Sequence, residues 1–254
     1  MRRIVTALVL IPTIAYVALL APQWLFLAVV AIVALLCFHE YGSIVARHGF
    51  DPPGPAGYAA GILVLLVRDH ELLLVTLLVL LALTLTLRTR DLSKALPGAA
   101  AFLLGIVYVF GCWRFTIGLR QISPHWLFFT LALNWIGDSA AYYFGSAFGR
   151  HKLAPRLSPA KSWEGSAASV VASALFGYFY LGWFLPSVPP LQVILVAVAA
   201  NVAGQVGDLA ESALKRGAGV KDSSNLLPGH GGWLDRVDST LFAIPVVYGL
   251  LQLL

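Results

Sequence analysis

The chain has 254 residues, of which 59% are apolar and 11% are charged. A soluble domain carries about a quarter charged residues, so this composition excludes an ordinary soluble protein and indicates an integral membrane protein. The net charge of +5 does not indicate nucleic acid as a partner, because the basic residues lie in short clusters between apolar runs. Both cysteines lie in apolar runs without metal-ligand spacing, so we expect neither a disulfide framework nor a zinc site.

The apolar runs predict an all-α fold, a polytopic bundle of about nine transmembrane helices. A bilayer core needs about 20 apolar residues per helix. The predicted spans lie near residues 4–20, 23–38, 55–67, 72–87, 98–117, 126–145, 164–185, 190–213 and 237–254. The third and fourth are short enough to be re-entrant or tilted. We divide the chain into 1–125, with about five spans, and a catalytic region 126–254, with about four spans and two cytoplasmic loops.

The basic residues orient this bundle. With nine spans the loops alternate sides, and all but three of the 17 Lys and Arg residues fall on the side of the N-terminus. The exceptions are Arg68, Arg114 and Arg120. By the positive-inside rule the N-terminus is cytoplasmic and the C-terminus is outside. We therefore expect a multi-pass protein of the cell membrane whose longest polar loops, 146–163 and 214–236, face the cytoplasm.

Four acidic residues lie within or at the edge of the late spans: Asp138, Asp208, Asp235 and Asp238. A charge at the bilayer centre costs at least a few kcal/mol (roughly 2.5 or more), so such residues pair, face a wet cavity or carry function. The predicted topology puts all four near the cytoplasmic ends of their helices, where they should converge in one layer. The structural alternative is an ion pair with Lys215 or Arg236.

Amide and hydroxyl side chains accompany these acids at helical spacing. The polar sets are Asn134 with Asp138; Asn201, Gln205, Asp208 and Ser212; and Asp235 with Asp238. Members of each set share one helix face. Interhelical hydrogen bonding is the structural explanation for the three amides. Carboxylate oxygens suit a hard cation, so we predict that the acids bind Mg²⁺ that bridges to substrate phosphates.

Two basic stretches could supply phosphate contacts. HKLAPRLSPAKSWEGS, residues 151–166, leads into the predicted helix at 164, whose N-terminus favours an anion. Ser158, Ser162 and Gly165 are capping or close-approach candidates there. SALKRGAGVKDS, residues 212–223, supplies three basic residues beside the acids. Headgroup anchoring and topology are the alternative explanation for the basic residues.

The segment PGHGG, residues 228–232, opens the way into the last span. Its glycines let the backbone come close to a ligand, although a tight turn would use them equally. For His230, a hydrogen bond within the loop and a catalytic role are alternatives that the residue alone does not separate.

The pattern from Ser212 to Asp238 resembles the signature of the phosphatidate cytidylyltransferases. Its matching residues are Ser212, Lys215, Arg216, Lys221, Asp222, Pro228, Gly229, His230, Gly231, Gly232, Asp235, Arg236 and Asp238. SPAKSWEG, residues 158–165, is similar to another segment of that family. Trp233, in place of an aliphatic residue, and Ser162, in place of Thr, are departures that remove no charge. The resemblance covers the second half strongly and the first half by architecture only.

The resemblance implies transfer of a cytidylyl group from CTP to phosphatidic acid, with release of pyrophosphate. It implies metal ligation by Asp208, Asp235 and Asp238, with Asp138 as an additional candidate. The expected catalytic and phosphate-binding groups are Lys215, Arg216, Lys221, Asp222, Arg236 and His230. The expected substrate-binding residues are Lys161, Ser158, Ser162, Ser212, Gly231 and Gly232. CTP and membrane phosphatidic acid are the expected partners, and we allow for a homodimer.

Two other functions remain open from the sequence. A related CTP-dependent transferase would act on another lipid phosphate. An ion-coupled secondary transporter would also carry intramembrane acids, but transporters place them near the midplane and often break helices there. Here the acids are shallow and the predicted helices are continuous. A family-like scaffold without activity is disfavoured by the retained charged positions.

Overall fold

The computed structural model describes residues 2–67, 69–226 and 231–253, with side chains from residue 10 onward. The helices are α1 (Arg2–Leu19), α2 (Gln23–Arg47), α3 (Gly54–Leu66), α4 (Glu71–Thr86), α5 (Ala95–Gly105), α6 (Cys112–Ile122), α7 (Pro124–Phe148), α8 (Trp163–Phe184), α9 (Pro190–Gly217) and α10 (Leu234–Leu253). A short 3₁₀ turn, Leu92–Lys94, precedes α5, and a π-helical segment, Ile106–Gly111, joins α5 to α6. The strands are β1 (Lys152–Ala154) and β2 (Ser158–Ser162).

The helices have the length and composition of a membrane protein. In the described chain, four helical segments are long and apolar enough to cross a bilayer: Gln23–Arg47, Leu92–Ile122, Trp163–Phe184 and Pro190–Gly217. The predicted short spans are found as α3 and α4, with 13 and 16 residues. Large apolar side chains such as Leu72 and Trp183 point outward, as they do where a protein faces lipid. The prediction of a helical membrane protein is therefore confirmed.

The N-terminal helices pack around aromatic side chains of α2. Phe38 contacts the Phe110 ring edge to face, with the centroids 5.0 Å apart. Gly61 of α3 lies against the same Phe110 ring, which would overlap any Cβ at that position. Tyr41 donates a hydrogen bond to the carbonyl of Ala101 at 2.7 Å. These contacts fix α2 against α3 and the α5–α6 segment. In the second half, α7, α8, α9 and α10 form the most extensively packed group.

The fifth predicted span differs from the expectation of a continuous helix. The π-helical segment Ile106–Gly111 interrupts it, and the side chains of Ile106, Val109 and Phe110 are fully buried there. A π-turn changes the helical register, so residues on both sides of the segment can face the core. Apolar periodicity did not reveal this change, because the run is apolar on every face.

The loop predicted at 146–163 contains an antiparallel hairpin, which the all-α prediction lacks. In its register Lys152 is paired with Ser162 and Ala154 with Ser158. The helix ends also differ from the expectation, since α9 continues to Gly217 and α10 begins at Leu234. Part of the predicted loop 214–236 is therefore helical at both ends.

Candidate active site

Three acids from three helices lie near one another within the α7–α10 group. Asp138 of α7, Asp208 of α9 and Asp238 of α10 are close enough for each to repel the others electrostatically. Glu211 and Asp235 adjoin them, and we call these five residues the acid cluster. The predicted proximity of Asp138, Asp208 and Asp238 is confirmed, whereas Asp235 lies beside Glu211, which was not predicted. Glu211 lies three residues after Asp208, and that helical spacing was the available signal.

Lys161 enters the acid cluster from the hairpin. It stands in β2 and forms an ion pair with the Asp208 carboxylate. The Ser212 hydroxyl donates to the same carboxylate across 3.4 Å. Ser162, the next residue, is the N-cap of α8 and accepts a hydrogen bond from the Gly165 amide at 3.2 Å. The hairpin thus fixes Lys161 at the start of α8.

Lys215 lies buried between two acids. Its ammonium forms an ion pair with Glu211 of the same helix and another, at 2.5 Å, with Asp235 of α10. The side chain of Lys215 is 9% exposed and that of Glu211 is 0% exposed. The ion-pair alternative is therefore confirmed for Asp235. This pairing joins the last turn of α9 to the first turn of α10.

Asp235 also organises the segment before α10. Its carboxylate accepts hydrogen bonds from the Ser223 amide at 2.9 Å, the Ser223 hydroxyl at 3.0 Å and the Gly232 amide at 2.8 Å. Gly231 has a φ of +77°, and a Cβ there would lie 2.7 Å from the carboxylate. The close approach that Gly231 allows is to Asp235 itself.

Glu40 of α2 is the contributor that sequence reasoning missed. Its buried carboxylate accepts hydrogen bonds from Ser224 Oγ at 2.6 Å, Trp233 N at 2.9 Å and Leu234 N at 2.7 Å, and it shares the Ser223 hydroxyl, 2.8 Å away, with Asp235. A Cβ on Gly232 would lie 2.6 Å from Glu40 Cδ. Helix α2 therefore holds the beginning of α10 in place. An acid within a long apolar run was the available signal.

The amide side chains connect helices, as the structural explanation predicted. Asn201 donates to the hydroxyls of Ser169 at 2.9 Å and Ser173 at 2.8 Å. Gln205 donates to Asn201 at 2.7 Å. Asn134 donates to Thr240 Oγ1 at 3.3 Å. These amides hold α7, α8, α9 and α10 together, and Asn134 also lines a cavity beside the acid cluster.

The remaining predicted residues lie around the cluster. Arg216, Lys221, Asp222 and Arg236 are exposed, and Ser158 is half-buried in β2. One Arg216 nitrogen donates to the Val220 carbonyl at 3.0 Å. His230 lies outside the described residues, and so does Arg68. Site roles stay predictions for Arg216, Lys221, Asp222, Arg236, Ser158 and His230.

A cavity of about 380 Å³ opens beside the acid cluster, between α1, α2, α7 and α10. Most of its wall is apolar, with side chains such as Ile14, Val30 and Leu131. Its polar lining includes Asp138, Arg236 and Asp238. The cavity suits an amphipathic ligand, because most of its wall is apolar and the wall is charged where it meets the acid cluster.

The cluster fits a hard divalent cation by its chemistry. Its five carboxyl groups outnumber the basic groups beside them, which are Lys161, Lys215 and Arg236. The buried Glu211 Oε1 has no hydrogen-bond partner in the described chain. Across residues 2–67, 69–226 and 231–253, no three His, Cys, Asp or Glu side chains group closely enough to hold a metal ion. Mg²⁺ takes only one or two carboxylates when substrate phosphates and water complete its shell, so this arrangement suits Mg²⁺ bound with a phosphorylated substrate.

The comparisons with known proteins agree with this chemistry. The chain matches the sequence model described as "Cytidylyltransferase family" over residues 1–254. A Pseudomonas aeruginosa protein named phosphatidate cytidylyltransferase is 37% identical over 264 residues, which cover 98% of this chain and 96% of the relative. A Staphylococcus aureus protein of that name is 32% identical, with 97% of both chains covered. A Bacillus subtilis protein of that name is 40% identical over 69% of this chain and 66% of its own length. The chain therefore belongs to the cytidylyltransferase family, among relatives named phosphatidate cytidylyltransferases.

Proposed function

We propose that this protein transfers the cytidylyl group of CTP to phosphatidic acid, forming CDP-diacylglycerol and pyrophosphate for phospholipid synthesis. Membership of the family and the names of the relatives support the reaction class. The assignment of a lipid substrate rests on the cavity between α1, α2, α7 and α10. Its apolar wall suits acyl chains, and its charged residues adjoin the acid cluster.

The charged residues of the cavity would receive the lipid phosphate. Arg236 is exposed and lines the cavity, so its guanidinium can bind a phosphate in a bidentate manner. Lys161 adds a second positive charge close to Asp138. A lipid held in this way keeps its acyl chains in an apolar environment while its phosphate meets the cluster.

The chemistry needs little proton transfer. A lipid phosphomonoester has a second pKa near ~6, so it is largely a dianion at neutral pH. One of its oxygens attacks the α-phosphorus of CTP, and the bond from that phosphorus to the bridging oxygen of the β-phosphate breaks. The electron pair leaves with pyrophosphate. Positioning and charge neutralisation then account for most of the rate enhancement.

The acid cluster would supply the cation site. Asp208 and Asp238 would hold Mg²⁺ together with substrate phosphates, and Asp138 and a second cation are further parts of this proposal. When bound, the ion neutralises phosphate charge and stabilises the leaving pyrophosphate. The exposed Arg216 and Lys221 would bind the triphosphate at the entrance. Lys215 and Asp235 hold α9 and α10 in register. The substrate contacts predicted for Ser158, Ser162, Ser212, Asp222, Gly231, Gly232 and His230 remain part of this proposal.

We place this site at the cytoplasmic face of a bundle of about nine spans. The distribution of Lys and Arg supports a cytoplasmic N-terminus. CTP is a cytoplasmic nucleotide, and a shallow site meets both CTP and a lipid phosphate at the membrane surface. A homodimer stays a prediction, which a molecular-mass measurement in detergent would test.

The decisive experiment supplies the purified full chain with phosphatidic acid, Mg²⁺ and CTP labelled at the α-phosphate. We expect labelled CDP-diacylglycerol to form in proportion to the added lipid. Polyprenyl phosphate and ether-linked phosphatidic acid belong in the same assay, since a preference for either would replace the proposed substrate. Absence of any labelled lipid, together with ion flux across sealed vesicles without CTP, would instead support the transporter.

A further inference from the structure

A second cavity lies away from the acid cluster, between two loops of the N-terminal helices. It measures about 520 Å³ and is formed by the α2–α3 connection, the end of α4 and the beginning of α5. It shares no lining residue with the cavity beside the acid cluster. The proposed reaction leaves it without a role.

Three basic and two acidic side chains line the rim of this cavity. Arg88, Arg90 and Lys94 line it, together with Asp51 and Asp91. In the described part of the chain, the guanidinium groups of Arg88 and Arg90 make no hydrogen bond and no ion pair, so both are available to a ligand.

Hydrogen bonds within the rim join its two loops and engage one of its acids. The Lys94 ammonium donates to the Gly49 carbonyl at 2.9 Å and so joins the two loops. The Ser93 hydroxyl donates to Asp91 at 2.6 Å, and this hydrogen bond lowers the pKa of Asp91. Asp91 is therefore occupied by the turn that begins α5 and does not pair with the arginines.

The inner wall is apolar and open. It includes Ala82, Leu85, Ala99 and Phe102. Gly98 also lines it, and a Cβ at Gly98 would meet nothing within 4 Å. The cavity therefore combines cationic groups at its rim with an apolar interior.

The surroundings of the rim indicate a membrane ligand. Three leucines next to the rim in sequence, Leu87, Leu92 and Leu96, have exposed fractions of 83%, 80% and 76%. Leucine side chains with such large exposed fractions are expected to contact the apolar part of a bilayer rather than water. A molecule bound here can have its phosphate on the arginines and its acyl chains beside the leucines.

We propose that this cavity is an accessory binding site for an anionic glycerophospholipid, held through its phosphate by Arg88 and Arg90. Arginine binds phosphate through a planar fork of donors, which lysine lacks. General attraction between basic residues and a membrane requires no cavity, so the shape of the site distinguishes this proposal from headgroup anchoring.

The test is native mass spectrometry of the purified full chain in detergent, titrated with phosphatidylglycerol or, as a neutral lipid, phosphatidylcholine. We compare the double variant Arg88→Gln/Arg90→Gln with Arg47→Gln, an exposed arginine outside the cavity. The double variant should lose about tenfold or more in phosphatidylglycerol affinity, because two charge-assisted contacts disappear. Arg47→Gln should bind as the parent chain does.

A second variant tests the shape without changing charge. Gly98→Leu fills the cavity, and Gly182→Leu is its control because a Cβ at Gly182 also meets nothing within 4 Å. We expect only Gly98→Leu to weaken phosphatidylglycerol binding. Equal binding by Gly98→Leu and the parent chain would overturn the cavity site. Displacement of the lipid by millimolar inorganic phosphate would show a site for free phosphate instead. Equal binding of both lipids would also overturn the proposal.

Discussion

Replacing Glu40 with Gln tests whether α2 holds the segment just before α10 in the position that activity requires. Each carboxylate oxygen of Glu40 accepts from one hydroxyl and one backbone amide. A serine hydroxyl can rotate and offer its lone pair to an amide group. The Trp233 and Leu234 amides cannot, so the NH₂ of Gln faces a fixed N–H whichever way it is turned.

The expected cost follows from this mismatch. Losing a hydrogen bond to a charged acceptor costs roughly 1.5–3 kcal/mol, and a buried amide left without an acceptor costs about 1–3 kcal/mol. Part of both costs is relieved if the segment before α10 moves away from α2. We therefore expect roughly 3 kcal/mol against the hydrogen-bonded position of this segment, which shifts the equilibrium between that position and a displaced one by about a hundredfold.

The assay measures kcat and KM for CTP together with thermal unfolding. If the enzyme is active only with this segment in its hydrogen-bonded position, Glu40→Gln lowers kcat/KM by up to about a hundredfold. The unfolding temperature should change less, because the segment can open while the helices stay packed. Glu71→Gln is the matched control, since Glu71 is an exposed acid that pairs with Arg114 on α6.

Gly232→Ala disturbs the contact between Glu40 and the segment before α10 from the side of that segment. A Cβ there would overlap both Ser223 Oγ and Glu40 Oε2, so both side chains must move. This variant should reproduce the kinetic loss of Glu40→Gln. Parent-like kcat/KM for CTP in both variants would refute the positioning role of Glu40.

Three further changes test other parts of the site. Asp238→Asn should lower CDP-lipid formation by about a hundredfold or more with little change in unfolding temperature, because a cation ligand is lost and the shape is kept; unchanged turnover would remove Asp238 from the cation site. Lys215→Gln should destabilise the protein by about 3 kcal/mol, since Glu211 is left buried without its partner. Glu211→Gln in the same chain should recover part of that loss in a denaturation experiment, and no recovery would contradict the pairing. Gly137→Ala should cost about 1–3 kcal/mol by overpacking, because its Cβ would lie 2.6 Å from Asn201 Nδ2; an unaltered unfolding temperature would show that the helices can separate there.

The parts of the site that the sequence predicted are those with local spacing. Asp235 and Asp238 are three residues apart in α10, and Asn201, Gln205 and Asp208 share a face of α9, so helical periodicity was enough. The expected layer of acids followed from the alternation of spans. These features depend only on helix geometry and on the order of the spans.

The parts that escaped prediction depend on distant contacts. Glu40 and Leu234 are hydrogen-bonded although 194 residues separate them in sequence. The hairpin of β1 and β2 is short and polar, so its strands lack the alternation that would have revealed them. The ends of α9 and α10 were misplaced because Lys215 and Asp235 are charged. Their mutual ion pair lets both helices extend past the apolar run.

The contacts of α2 explain why the N-terminal helices matter to a site whose signature lies in the second half. Glu40 accepts hydrogen bonds from the segment before α10, and His48 is hydrogen-bonded to the Leu214 carbonyl of α9 at 2.9 Å. The helix also contributes Phe26 and Val30 to the wall of the cavity beside the acid cluster. One helix therefore braces both ends of the α9–α10 connection and shapes the proposed lipid pocket. Since Asp208 and Asp238 repel one another, this bracing acts together with the ion pairs of Lys161 and Lys215 to keep the acids of α9 and α10 close.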